Sequence, residues 1–102
     1  MAEALAALGR PAEAAPIWSE IVREDPINVR GWIGLAQAQR GLGQIDSAVN
    51  ALETAASLLD RRSPERELLV RESLAILPHR PTRFTRLIDL ARQSIHGRLD
   101  LR

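Results

Sequence analysis

Few residues of this 102-residue chain have the types and spacing that catalysis requires. His79 and His96 are the only imidazoles, and they form neither an HxxxH nor an HExxH arrangement, so no metal site is predicted. The absence of Cys excludes disulfides, thiolate nucleophiles and Cys-ligated zinc. All 14 cationic side chains are Arg, so Schiff-base and P-loop lysines are also excluded. We therefore expect no enzyme activity within this chain, no catalytic residue and no cofactor.

Charge is distributed unevenly along the chain. Residues 1–60 carry four Arg and eight acidic residues, a net charge of −4, whereas residues 61–102 carry ten Arg and five acidic residues, a net charge of +5. Nucleic-acid binding would need a one-sided basic patch with aromatic side chains for stacking. The basic part has one aromatic residue, Phe84, and its Arg residues alternate with apolar and acidic ones. A solvated face, or a basic rim for an acidic partner, is the favoured interpretation over nucleic-acid binding.

No apolar run approaches the ~20 residues that span a bilayer. The first ten residues lack the basic region of a signal peptide. We therefore predict no membrane span and a cytoplasmic location. Exclusive use of Arg, together with abundant Ala and Leu, suggests a GC-rich bacterial genome.

Gly- and Pro-containing breakers at residues 9–11, 25–26, 41–43, 61–64 and 78–81 divide the chain into segments of helical length. Between the breakers, apolar residues recur at i, i+3, i+4 and i+7, the pattern of amphipathic helices. This pattern predicts no strand and six helices, at 2–8, 11–24, 29–41, 45–59, 64–77 and 82–96. Asn28 and Ser63 are predicted N-caps, and Gly97 is predicted to end the last helix.

The predicted helices form pairs, and a shift of 34 residues places Gly9 on Gly43 and Ala14 on Ala48. The best-formed copy begins Trp32-x-x-Leu35-Ala36 and continues with Gly43, Ala48, Leu52 and Ala55. This copy resembles the tetratricopeptide repeat, whose pattern is Trp-x-x-Leu-Gly-x-x-Tyr, then Ala-x-x-x-Phe, then Pro. Three positions depart from that pattern, and the resemblance is strongest over residues 1–60. The departures are Ile21, Gln39 and Asp60.

The resemblance implies an all-α fold, a right-handed stack of antiparallel helix pairs in one domain over residues 1–102. Residues 1–28 would be a truncated first repeat, 29–62 the second repeat, and 63–97 a degenerate third repeat or a capping pair, followed by a tail at 98–102. The predicted core consists of Leu5, Leu8, Ala14, Trp18, Ile21, Trp32, Leu35, Ala36, Ala48, Val49, Leu52, Ala55, Leu69, Leu74, Phe84, Ile88 and Ala91.

In the family that the chain resembles, the first helix of each pair lines a concave groove that holds a peptide or a partner helix. Aligning the family's repeat with the second repeat of this chain places the groove at Arg30, Ile33, Gln37 and Arg40. Glu3 from the first repeat, and Arg71 with Glu67 from the third, extend it. We expect Arg30 and Arg40 to be exposed on either side of a partly exposed Ile33. Such a groove suits an acidic protein or peptide with one aliphatic anchor.

Other interpretations of the same features stay open. The groove stripe could be a solvated face that binds nothing. The chain could be an interaction or regulatory segment of a larger bacterial enzyme whose catalytic domain lies outside it. Apolar residues around Ala4, Leu8 and Ile17 further suggest a homodimer through the N-terminal end.

Overall fold

The computed structural model describes residues 10–60 and 62–100, with the side chains of the last helix described through Ser94. These residues form five helices and no strand: α1 Pro11–Glu24, α2 Val29–Gly41, α3 Ile45–Leu58, α4 Arg66–Ile76 and α5 Pro81–Asp100. The all-α prediction is confirmed. The predicted helix at 2–8 lies outside the described residues, as do Glu3, Leu5 and Leu8.

Local signals set the bounds of the first two helices as predicted. Pro11 occupies the first turn of α1, where a missing N–H costs nothing. Asn28 caps α2, because its Oδ1 accepts a hydrogen bond from the Gly31 backbone N–H at 3.0 Å. Gly43 has a φ of 80° in the turn between α2 and α3, a left-handed conformation that favours glycine.

Two predicted helix ends in the basic part of the chain are wrong. Ser63 does not cap α4, because its hydroxyl accepts a hydrogen bond from the Asp60 backbone N–H at 3.0 Å and so closes a local turn. The last helix does not end at Gly97 but continues to Asp100. A glycine inside a helix costs only about 1 kcal/mol, so Gly97 alone cannot end it.

The helices pack in sequence along the stack. Among the described elements, α1 packs on α2 alone, α2 also contacts α3 and α4, and α3 lies against α2, α4 and α5. A small core cluster between α1 and α2 contains Ala14, Trp18, Val22, Leu35 and Ala38. The larger cluster spans α2 to α5 and includes Ile33, Ala36, Leu52, Leu69, Ile76 and Leu87. The division into repeats fits this packing but stays a prediction.

Most predicted core residues of α1 to α3 are buried, among them Trp18, Ala48 and Leu52. Leu74 was predicted in the core, but it is 51% exposed. Its helix, α4, instead buries a face that contains Glu72 and Ser73 between Leu69 and Ile76. The error arises because apolar periodicity cannot recognise a buried face whose polar members are hydrogen-bonded. Buried residues that the sequence analysis missed include Val22, Ile33, Ala38, Leu59, Ile76 and Leu87.

Candidate functional site

The predicted groove residues of α2 divide between solvent and core. Arg30 is exposed, but Ile33 is only 2% exposed and belongs to the larger core cluster. The expectation of a partly exposed Ile33 between two exposed cations is therefore wrong. The side of α2 that carries Ile33 is covered by packing in the core that α2 shares with α4. Ile33 stabilises the stack and cannot serve as an anchor for a ligand.

Gln37 and Arg40 are directed at a carboxylate within the same chain. The Gln37 Nε2 donates to Glu72 Oε2 at 3.0 Å, and the Arg40 Nε donates to Glu72 Oε1 at 3.3 Å. The Arg40 Nη2 lies 3.2 Å from the same oxygen, and the Arg40 side chain keeps 39% of its surface exposed. Glu72 itself is only 6% exposed. These two α2 side chains and Glu72 form what we call the Glu72 clamp, which satisfies a buried charge at the contact of α2 with α4.

The remaining predicted site residues lie elsewhere. Arg71 is exposed on α4, one residue before Glu72, and Glu67 is exposed one turn earlier on the same helix. Glu3 lies outside the described residues, as do Ala4 and Leu8 of the predicted dimer contact. Ile17 is half-buried on α1. Pairing through the N-terminal end therefore stays a prediction.

An exposed aliphatic stripe on α4 is the feature that the sequence analysis missed. Val70 and Leu74 on α4, and Leu77 directly after its end, are 39%, 51% and 37% exposed, at i, i+4 and i+7. An open cleft of about 400 Å³ lies along this stripe. Its lining residues are Arg66, Glu67, Val70, Arg71 and Leu74. The apolar spacing of these residues is visible in the sequence, but we predicted Leu74 in the core because nothing in the sequence indicated that Glu72 has buried partners.

Arg80, directly before α5, and two Arg residues of α5 face acidic and amide side chains of α3. The Arg80 Nε donates to Asp46 Oδ1 at 2.9 Å, and the Arg83 Nη2 donates to Glu53 Oε2 at 3.2 Å and to Asn50 Oδ1 at 2.6 Å. Arg86 adds an ion pair to Glu53 at 3.7 Å. We call these residues the α3–α5 ladder. It partly neutralises the basic face of α5, which weakens the case for a nucleic-acid site there.

The ladder changes the acidity of one carboxyl group. The hydrogen bond from Arg80, reinforced by its charge, holds the pKa of Asp46 below its ordinary value of 3.8. Asp46 is 64% exposed, so this pairing is screened by solvent and salt. The chemistry of the ladder is thus electrostatic pairing between helices.

Groups that could perform other chemistry are sparse in the described part of the chain. No cluster of three or more His, Cys, Asp or Glu residues there has the geometry to hold a metal ion. His79 is exposed in the turn before α5. Within the described residues, no helix combines the length and apolarity that crossing a membrane requires.

The chain matches a model of a known protein family. A family model described as tetratricopeptide repeat matches residues 5–65, more than half of the chain. This range covers α1, α2 and α3 and ends just before α4. Neither the curated proteins nor the solved structures show a significant match to the chain.

Proposed function

The chain belongs to the tetratricopeptide repeat family, and from this premise we propose that it is a non-catalytic protein-interaction module. Its proposed ligand is an acidic, extended segment of a partner protein. The segment would run from exposed Arg30 to the partly exposed Arg40 side chain and continue toward α4. Arg30, Gln37 and Arg40 are the α2 residues that this proposal assigns to binding, and Arg71 adds a cation from α4.

The Glu72 clamp is the single observation that carries the proposal. It supports the proposal because Gln37 and Arg40 already donate to one carboxylate, that of Glu72. The Arg40 side chain is 39% exposed, and a guanidinium has five N–H donors, so the proposal has Arg40 donate to a second carboxylate from a ligand. Intrachain pairing thus orients Arg40 before a ligand arrives, which lowers the entropy cost of binding.

The spacing of the cations sets the size of the ligand. Arg30 and Arg40 are ten residues apart on α2, which corresponds to ~15 Å along a helix. An extended peptide covers that distance in about four or five residues. The ligand would therefore carry two acidic residues separated by three or four others. Ile33 is buried between the cations, so binding would depend on charge and not on an aliphatic anchor.

A pair of synthetic peptides tests this proposal. The probe is a fluorescein-labelled decapeptide of Gly and Ser with Glu at positions 2, 3, 7 and 8, and the control decapeptide has Gln at those positions. We expect the acidic peptide to bind more tightly than the Gln peptide, and its affinity to fall when salt rises from 50 to 300 mM. Fluorescence anisotropy measures both effects.

Charge reversal at Arg30 locates the binding surface. The Arg30→Glu variant should weaken binding of the acidic peptide at least tenfold. The Arg92→Glu variant, at an exposed residue of α5, should leave the binding unchanged. Arg40 is kept as it is, because a Glu at that position would face the buried Glu72 and endanger folding. Equal binding of both peptides, or unchanged binding by a folded Arg30→Glu variant, would refute the proposal.

A further inference from the structure

Helix α4 buries the side that carries polar residues and exposes the side that carries an aliphatic stripe. It buries Glu72 and Ser73, whereas Val70, Leu74 and Leu77 are more than one third exposed. Val70 and Leu74 each lie two residues from Glu72, which places them ~160° around the helix from it. Since Glu72 contacts α2, the aliphatic stripe lies on the side of α4 that faces away from α2. Contiguous exposed aliphatic side chains of this kind mark contact surfaces.

The 34-residue spacing of the repeats explains what this side of α4 corresponds to. On α2, the side toward α4 contributes two residues to the shared core and two to the Glu72 clamp. These are Ile33, Ala36, Gln37 and Arg40. Adding 34 to each number gives Glu67, Val70, Arg71 and Leu74. These four line the open cleft on α4. The cleft is thus the equivalent, one repeat later, of the surface on which α2 holds a helix, and no described element covers it.

We propose that this surface, which we call the α4 seat, binds an amphipathic helix of a partner protein. The helix would place an aliphatic stripe over Val70, Leu74 and Leu77. It would also direct a carboxylate to Arg71, which takes the place of Gln37 one repeat later. The site is distinct from the acidic-peptide surface of α2, although Arg71 borders both. It would add a second partner contact to the stack.

Two observations favour a helix as the occupant. The stripe follows the i, i+4, i+7 spacing of helix-in-groove contacts, in which apolar side chains of both helices interdigitate. The element of this chain that packs on the equivalent surface of α2 is also a helix, α4. That helix presents Leu69 and Ile76 on either side of Glu72.

Charge indicates the chemistry of the partner. Arg66 and Arg71 border the stripe and form no ion pair with the described residues, whereas Glu67 is the one acidic residue of the cleft. A second copy that packed its own seat against this one would bring these cations near one another, and the Glu72 side of its α4 is already buried in its own fold. The 11-residue α4, ~16 Å long, also offers less than the ~800 Å² per partner of a stable interface. An acidic amphipathic helix meets both conditions, since it brings the opposite charge and needs only a groove.

The α4 sequence itself supplies a probe. A fluorescein-labelled peptide of residues 64–78, acetylated and amidated, carries the Leu69, Glu72 and Ile76 pattern that already fits the equivalent surface. We expect saturable binding to the full chain by fluorescence anisotropy. The Leu74→Arg variant should weaken binding at least tenfold, and the Arg71→Glu variant should do the same. Ile27→Arg, at an apolar residue 74% exposed outside the seat, should bind like the original chain.

A charge swap tests the pairing between Arg71 and the ligand. A peptide with Glu72→Arg should bind the original chain at least tenfold more weakly, and the Arg71→Glu variant should restore at least half of that loss in log affinity. The proposal is overturned if no saturable binding is seen, if the Leu74→Arg variant binds the peptide normally, or if the swap does not restore binding. Melting curves confirm that each variant is folded.

Two further measurements separate the competing occupants and the proposed function. Sedimentation that shows a dimer of the original chain and a monomer of Leu74→Arg would assign the seat to a second copy and overturn the partner-helix proposal. The acidic decapeptide should bind the Leu74→Arg and original chains equally well. If the decapeptide does not bind the original chain but the α4 peptide does, the proposed function of α2 is rejected and the α4 seat is still supported.

Discussion

At the scale of single residues, the contact between Gly34 and Trp18 decides how closely the first two helices approach. Trp18 is 6% exposed, and its indole lies directly over Gly34. A Cβ added at position 34 would come within 2.3 Å of Trp18 Cε2, well inside van der Waals contact. Because Gly34 has no Cβ, the Trp18 ring can pack this close to α2.

The Gly34→Ala substitution should destabilise the chain by about 1–3 kcal/mol, because the ring or a helix must move. In a helix without this contact, Gly→Ala stabilises by about 1 kcal/mol, so the sign of the change is itself diagnostic. Urea unfolding measures the effect. The matched control repeats Gly34→Ala in a Trp18→Leu background, where the loss should shrink. Equal losses in both backgrounds would contradict the contact.

The two tryptophans should differ in their contribution to stability. Trp18→Ala should cost about 3–5 kcal/mol, as expected for a large side chain removed from a packed core. Trp32→Ala should cost less, because Trp32 is only half-buried and its Nε1 donates to the Pro26 carbonyl at 2.8 Å near the surface. Chemical denaturation of both variants gives the comparison. A Trp32 loss as large as the Trp18 loss would show that our assignment of their burial is wrong.

At the scale of helices, the α3–α5 ladder joins the acidic part of the chain to the basic part. Three Arg residues at i, i+3 and i+6, the first directly before α5 and the other two on it, meet Asp46, Asn50 and Glu53 at i, i+4 and i+7 of α3. Glu53 is the more enclosed acceptor, with 18% of its side chain exposed. Part of the opposite net charge of the two parts of the chain is thus paired within the fold, where Arg residues of one part bind acidic residues of the other.

The pKa shift of Asp46 predicts a dependence of stability on acid. Because its pKa is lowered in the folded state, its pairing stabilises the fold above the ordinary value of 3.8 and is lost as pH falls below that value. Asp46→Asn should therefore flatten the loss of melting temperature between pH 5 and pH 2.5. Asp89→Asn, at an exposed α5 residue without an ion pair among the described residues, is the control. Identical acid profiles for the original chain and Asp46→Asn would count against this role.

At the scale of the whole molecule, the Glu72 clamp connects the segment that matches the family model to the segment beyond it. Gln37 and Arg40 lie inside the matched range, whereas Glu72 lies outside it. In a repeat stack, stability depends on the contact of each repeat with its neighbours. The clamp is therefore a point at which the folding of α4 and α5 is coupled to that of α1 to α3.

Removing the carboxylate should uncouple the two segments. Glu72→Ala should cost about 1–3 kcal/mol, because Gln37 and Arg40 lose a charged hydrogen-bond partner. Both tryptophans lie in α1 and α2, so their fluorescence reports the first segment, whereas far-ultraviolet circular dichroism reports every helix. In urea, the dichroism of Glu72→Ala should change before its fluorescence. Coincident curves, as expected for the control Glu67→Ala, would indicate that the clamp does not couple the segments.

The sequence by itself determined the helical class, the bounds of α1 and α2, and most of the core of α1 to α3. These features depend on neighbours in the chain: the cap at Asn28, the turn at Gly43, and small residues such as Ala48 at regular spacing. The family resemblance rested on the same local pattern. The match to the family model covers residues 5–65, close to the range over which the resemblance is strongest.

Only the tertiary structure decided which face of α4 meets solvent and which part of the predicted groove on α2 is covered. Ile33 is buried and Leu74 exposed because of how α2 and α4 pack against each other, and their sequence spacing does not encode this. Helix α4 can bury Glu72 because the carboxylate accepts hydrogen bonds from Gln37 and Arg40, which are 35 and 32 residues away in the sequence. A buried carboxylate is tolerated only when such partners are in place, and periodicity within one helix carries no information about partners on another.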